Sequence, residues 1–362
     1  MSESQTFPKH QQPPVPAASR IDALDVAKGI GMILVVFAHI NYTPAILIPI
    51  YSVHMPLFFL LAGVVFRREK YPAFRGFLIS RLKSLLLPYL FFCLAPIAAS
   101  LILERITGIT LLVKNGFLDA LWETLIARSS ATVVNPPLWF VPCLLAVEIL
   151  YYFISKLKKP SVAVVCAALA CLGWLLESGL IPSIPLPWSL DSALFALSFY
   201  ATGNLCAPYL KTAVARIREH RRKILICLGI LLLCILIWYP AARANGKISM
   251  GSKILNNGFL LYLTGVAGTV GILAVSILLE KSGFLKYLGR NTFCIMGVHY
   301  LLKIVMIKFI AIVPGIPQYS EVVLSETLVP FLIVFTLSVL STFVYNAAIR
   351  LLRSIGGRIR RG

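Results

Sequence analysis

Apolar runs of about twenty residues recur along the whole chain, and nothing else in the sequence limits its fold so strongly. A helix rises about 1.5 Å per residue, so about 20 apolar residues cross the hydrocarbon core of a bilayer. Ten segments qualify, at about 27–46, 53–66, 84–103, 138–154, 162–180, 190–210, 223–239, 257–279, 292–313 and 326–349. The second is short for a full crossing and is expected to tilt or to lie partly within protein. Lipid cannot satisfy free N–H and C=O groups, and no alternating ten-residue strand pattern competes, so helices are the expected spanning form. The predicted fold class is all-α: a polytopic membrane protein with about ten transmembrane helices. Composition agrees, since 59% of the residues are apolar and only 13% charged. A soluble domain carries about 25% charged residues, and long disorder needs far less apolar surface.

The charges that remain are lopsided, with 34 Lys and Arg against 14 Asp and Glu. On a soluble chain an excess of +20 would suggest a nucleic-acid surface. Here the positive residues cluster between apolar runs, as expected for residues that orient a membrane protein. If the N-terminus is cytoplasmic and the spans alternate, 26 of the 34 fall on the cytoplasmic side. The other eight are Arg105, Lys114, Arg128, Arg243, Lys247, Lys253, Lys303 and Lys308. Both termini are therefore expected in the cytoplasm. Residues 1–20, rich in Pro, Gln and Ser, read as a disordered tail rather than a secretory signal. Residues 21–352 read as one integral-membrane domain and 353–362 as a basic tail. All eight cysteines lie in or beside spans without a C-x-x-C pair, and read as small apolar packing residues.

An ionisable side chain inside a bilayer costs about 2.5–3.5 kcal/mol on insertion scales, so each one is a functional candidate. Asp25 and Lys28 stand at the cytoplasmic end of the first span at i, i+3, close enough to pair. His39 follows eleven residues after Lys28, a rise of about 16 Å that takes it past the midplane. His54 lies in Ser52-Val53-His54-Met55-Pro56 at the outer mouth of the second span. The two imidazoles are expected to face a common cavity, and neutral imidazole is a suitable general base near neutral pH. His299, in the ninth span, reads first as structural. No histidine pair stands at i, i+4, so no metal site is expected. On the cytoplasmic side Arg67, Arg68, Lys70, Arg75, Arg81 and Lys83 crowd one short connection before Leu85-Leu86-Leu87-Pro88-Tyr89. Such a cluster suits a phosphate-bearing donor, and it equally suits membrane orientation and anionic lipid.

The segment Asp25-Val26-Ala27-Lys28-Gly29-Ile30, followed by His39, resembles the D-x-x-[RK]-G opening and [RK]-x10-H spacing of the acyltransferase-3 family. This group includes the bacterial membrane O-acetyltransferases of the fucose 4-O-acetylase-like and polysaccharide O-acetyltransferase types. His54-Met55-Pro56-Leu57-Phe58-Phe59 with Gly63 is similar to its H-M-P-L-F-F-x-x-S-G segment, with Ala62 in place of Ser. Phe77, Arg81, Lys83, Pro88 and Tyr89 resemble its basic F-x-x-x-R-x-x-R-x-x-x-P-Y region. Leu138-Trp139-Phe140-Val141-Pro142 and Leu288-Gly289-Arg290-Asn291-Thr292 with His299 match two further stretches, and the resemblance covers about residues 20–350.

The resemblance implies transfer of an acyl group, usually acetyl from cytoplasmic acetyl-CoA, to a sugar hydroxyl of an extracytoplasmic or lipid-linked glycan. O-antigen, capsule and exopolysaccharide are the expected acceptor types, and the bacterial inner membrane is the expected location. Acetyl-CoA enters as a substrate, with no permanently bound cofactor and no nucleic-acid partner. His39 is expected to act as general base, with a transient acyl-imidazole as a second route. His54 would orient the acceptor or support His39. Lys28, Arg75, Arg81 and Lys83 are the candidate donor-binding residues. Asp25, Ser52, Trp139, Asn291 and His299 are supporting candidates, and Asn204 or Asn291 could donate to the carbonyl oxygen. With about a dozen residues after the last span, the membrane domain is expected to act without an added hydrolase-like domain. A transporter or glycan-lipid flippase is the alternative class, and it should show paired broken helices or an inverted repeat.

Overall fold

The computed structural model describes residues 21–40, 43–108, 112, 116–128, 134–181, 185–312 and 328–359. The reading of residues 1–20 lies outside them. The helices are α1 (Asp22–Ile40), α2 (Pro44–Tyr51), α3 (His54–Val65), α4 (Phe74–Arg81), α5 (Leu87–Thr107), α6 (Phe117–Ile126) and α7 (Phe140–Ile154). They continue with α8 (Lys159–Glu177), α9 (Leu190–Glu219), α10 (Lys223–Asn245), α11 (Gly258–Leu278), α12 (Gly283–Arg290), α13 (Thr292–Ile312) and α14 (Leu328–Ile359). Among the described residues, β structure is limited to one isolated bridge between Ser249 and Ile254.

Eight helical segments among the described residues are long and apolar enough to cross a membrane, or nine if α12 and α13 count as one bent span. The chain is thus an all-helical, multi-pass protein. Helix α9, at 30 residues, stands outside that set. Asp191, Ser192, Thr202 and Asn204 dilute its apolar content, and Asp191 and Ser192 are buried against neighbouring helices.

Several boundaries differ from the apolar runs. Helix α1 stops at Ile40, and the short second run becomes part of a 22-residue crossing, Pro44–Val65. Proline opens that crossing readily, because its fixed φ suits the first helical turn and its missing N–H costs nothing there. The crossing is interrupted at Ser52–Val53, between α2 and α3. The basic stretch before Leu85 is not a loop throughout. Phe74–Thr107 is continuous helix, with a π turn over Leu82–Leu86 between α4 and α5. Pro88 has no N–H to offer the Ser84 carbonyl, and the ladder widens just before it. At the far end α14 runs on to Ile359, into the segment read as a tail.

Small residues set the closest helix crossings. A Cβ added at Gly63 would overlap the Tyr200 carbonyl, and one at Gly203 would overlap the Leu60 carbonyl, so α3 and α9 touch backbone to backbone. Gly29 and Gly289 do the same for α1 and α12, against the Leu285 and Asp25 carbonyls. Lipid offers no hydrophobic drive between helices, so such close contact supplies the packing energy instead. Helix α12 meets α13 at an 80° bend, and among the described residues this is the one bent pair that is apolar enough to count together as a broken span. The cysteines are free, six of them buried, with Cys171 and Cys206 exposed.

Candidate active site

Helices α1, α3, α7 and α13 enclose a cavity of about 490 Å³ that reaches along α1 from Lys28 to His39. Three histidines gather near one end. His39 and His54 line the cavity, while His299 is fully buried behind it. The rings of His39 and His299 meet edge to face with centroids 5.0 Å apart, and Tyr300 packs on His39 at 6.1 Å. His54 packs on Tyr51 at 4.9 Å.

Each imidazole uses Nδ1 in the same way. His39 Nδ1 lies 2.7 Å from the Val35 carbonyl, His54 Nδ1 lies 2.9 Å from that of Ile50, and His299 Nδ1 lies 2.9 Å from that of Ile295. A carbonyl can only accept, so Nδ1 carries the proton and Nε2 of a neutral ring keeps its lone pair. For His39 that leaves a basic nitrogen on a ring held in place by its own helix. His299 Nε2 is buried without a hydrogen-bond partner, so this ring acts as a wall for His39. Among the described residues no three His, Cys, Asp or Glu side chains converge as metal ligands.

The other end of the cavity is basic. Lys28 and Arg81 line it, and Arg81 Nε lies 3.0 Å from Glu148 Oε2. Tyr200 donates to the other Glu148 oxygen at 3.4 Å. Lys28, Val65 and Arg81 also line a second, open cavity of about 520 Å³, so the two spaces adjoin. That vestibule gathers Lys28, Arg67, Lys70, Arg81 and Lys211 around one carboxylate, Asp25. Aromatic side chains hold two of these cations: Arg81 lies over Tyr71 and Phe77, and Lys70 lies over Tyr71. A polyanion would find both guanidinium forks and ammonium charges there.

The remaining sequence candidates separate into distinct groups. Arg75 and Lys83 are exposed on the helix and line neither space, because helical periodicity turns them away from Arg81. Asp25 accepts from Arg290 Nε at 3.1 Å, and Asp22 pairs with Lys286 at 3.0 Å, which clasps α1 to α12. Asn291 donates to the Tyr287 carbonyl and accepts from Asn346, bracing the bend between α12 and α13. Asn204 donates to the Gly63 and Phe66 carbonyls and accepts from Tyr151. Both amides are therefore engaged in helix packing. Ser52 donates to the Pro49 carbonyl and accepts from Trp238 at the α2–α3 turn. Trp139 lines the cavity and packs on Gly251, where an added Cβ would meet its ring.

Four features escaped sequence reasoning. Glu148 sat as a single charge in its apolar run and Lys303 shared its run with Lys308, and intramembrane charge was the signal that could have found them. Lys211 joins the vestibule from α9, far away in sequence. The turn Ser249–Ser252 enters the cavity wall from the connection between α10 and α11. It is pinned by an ion pair between Lys253 and Asp191 and by Ser192, which donates to the Met250 carbonyl at 3.0 Å.

A family model described as an acyltransferase domain, Acyl_transf_3, matches residues 21–347. No curated protein and no solved structure matches the chain.

Proposed function

This chain belongs to the acyltransferase-3 family and is a multi-pass membrane acyltransferase; from that premise we propose that it moves an acetyl group from cytoplasmic acetyl-CoA to a sugar hydroxyl on the other side of a bacterial inner membrane. The observation that carries this reading is the continuity of the two cavities. A vestibule with five basic side chains opens beside a chamber that ends at His39 and His54. Phosphates of the donor rest against Lys28, Arg67, Lys70, Arg81 and Lys211. Its long pantetheine arm passes Arg81 into the chamber. The thioester then lies beside His39, about 16 Å along α1 from Lys28.

The transfer step balances as follows. His39 Nε2 takes the proton of the sugar hydroxyl as that oxygen forms a bond to the thioester carbon. The tetrahedral adduct collapses with cleavage of the carbon–sulfur bond. The departing thiolate takes the proton back from His39 and leaves as free CoA. The bond from His39 Nδ1 to the Val35 carbonyl supports the imidazolium that exists between the two proton transfers. The acceptor is a glycan or its lipid-linked precursor, entering from the histidine end beside Tyr51, Trp139 and the Ser249–Ser252 turn.

Proteoliposomes test this directly, with labelled acetyl-CoA supplied on one side and a glycan acceptor on the other. Labelled ester on the acceptor is the expected result. A product that forms only when donor and acceptor share one side would refute transfer across the membrane.

A further inference from the structure

A third cavity, of about 190 Å³, lies against the connection that follows α3. The ends of α3 and α7, the start of α8 and the middle of α9 complete its walls. Arg67, in that connection, lines both this pocket and the vestibule, so the two spaces stand at the same end of the molecule. The charged lining groups are Arg67, Arg68 and Lys159, against one carboxylate, Glu69. Among the described residues none of the three cations is ion-paired. Other polar groups of the wall are spent within the fold. Tyr151 donates to Asn204, Asn204 donates to the Gly63 and Phe66 carbonyls, and Ser155 donates to the Tyr152 carbonyl. The cations are therefore what the pocket offers a ligand.

Arg68 is held ready for an oxyanion. Its Nη1 donates to the Tyr71 carbonyl at 2.7 Å, and its guanidinium stacks on the Tyr152 ring at 4.1 Å. That ring is buried, and its hydroxyl donates to the same Tyr71 carbonyl at 3.2 Å. A planar fork fixed in this way loses little freedom when it meets a phosphate. Lys159 opens α8, a helix of 19 residues, so the positive end of the helix dipole adds to the same field.

Leu157, Val162, Leu205 and Pro208 make the lining amphipathic. Val162 lies three residues into α8 from Lys159, a rise of about 4.5 Å. Charge thus stands at the mouth of this crossing and apolar surface about one turn deeper. Most α8 residues are not buried in the protein, which puts the pocket at the lipid boundary. Cations above an apolar wall match an amphiphile with a phosphate head.

We propose that this pocket is a discrete site for the headgroup of an anionic phospholipid. Arg67, Arg68 and Lys159 hold its phosphodiester, and the start of its chains lies against Val162 and Leu205. A zwitterionic lipid brings an ammonium of its own into the same positive field and is disfavoured. The site is separate from the acyl donor, and its observable is lipid retention.

The test uses the full-length protein in phosphatidylcholine nanodiscs with graded fractions of phosphatidylglycerol. Lipids retained after release are counted by native mass spectrometry. The wild type is expected to retain a single phosphatidylglycerol saturably, about 10-fold or more in preference to phosphatidylcholine, the range of a hydrogen bond to a charged group. Arg68→Gln combined with Lys159→Gln should bring that preference close to one. Lys159→Gln alone, at an exposed position, should already weaken it several-fold. Arg75→Gln combined with Lys158→Gln removes the same two charges from exposed positions outside the pocket, and should leave the preference intact. Equal losses in the two double variants would overturn the proposal, because a diffuse surface field depends only on charge. Equal retention of both lipids by the wild type, or a preference that survives Arg68→Gln with Lys159→Gln, would overturn it as well. Displacement of the retained lipid by millimolar inorganic phosphate would do the same, by making the pocket a site for free anions.

Discussion

The two ends of the central cavity are built by different means. The basic end is assembled from α1, the connection after α3, α4 and α9, with the partly open side chains of Lys70 and Arg81 lying over aromatic rings. The histidine end consists of rings on α1, α3 and α13: His39 and His299 are fastened by their own helices one turn back, and His54 by the Ile50 carbonyl of α2. A vestibule made of long flexible cations can adapt to a polyanion and release it again. A base whose ring is held by its own backbone keeps a fixed direction. On the proposed reading, binding energy resides at one end and chemistry at the other, and substitutions should divide in the same way.

The largest effect is expected at His39. His39→Ala should lower kcat by about 10²- to 10⁴-fold, the usual contribution of a general base, with little change in the KM for acetyl-CoA. A variant with full activity would remove His39 from the mechanism. At the basic end the division reverses. Arg81→Ala and Lys28→Ala should raise the KM for acetyl-CoA by about tenfold or more each, as expected for lost charge-assisted hydrogen bonds. Salt should weaken donor binding further, because the vestibule is open to solvent. If either variant changed kcat alone, the separation between the two ends would fail.

A structural substitution probes what holds the ends together. Gly289→Ala places a Cβ against the Asp25 carbonyl, at the clasp between α1 and α12. It should cost about 1–3 kcal/mol, the usual range for overpacking, seen as a lower Tm in detergent. The smallest effect is expected at Arg75 and Lys83, which line neither cavity. Arg75→Ala and Lys83→Ala should change the donor KM by less than about twofold, as for exposed charges that make no buried contact. A tenfold change at either position would extend the donor site along the exposed face of α4 and the π turn.

Much of this was legible in the sequence. Crossings of a bilayer announce themselves by length and hydropathy, so helices were expected wherever the main apolar runs occur. The opening Asp25-Val26-Ala27-Lys28-Gly29 and the spacing to His39 placed a cation and a base at two levels of one helix, because a fixed rise per residue converts spacing into height. His54 was expected in the same cavity as His39, and both line it. Other assignments needed contacts between distant segments. Nothing local says that Asp25 meets Arg290, or that Asn204 and Asn291 spend their amides on neighbouring helices. A basic cluster read along the chain treats Arg75, Arg81 and Lys83 alike. On a helix they point in different directions, and Arg81 alone of the three reaches the cavity.

What the sequence determined by itself was the solvent, the helical form of the crossings, and the height of each charged group along its own helix. These follow from bilayer thickness and helix rise, which are properties of short segments. Tertiary structure decided which faces meet: that His299 stands behind His39, that Lys211 from α9 joins the cations of α1 and α4, and that Lys303 lines the same cavity as His39 and His54. Lateral order among helices depends on small-residue contacts such as Gly63 with Tyr200 and Gly289 with Asp25. Such contacts couple residues more than a hundred positions apart, and no local period records them.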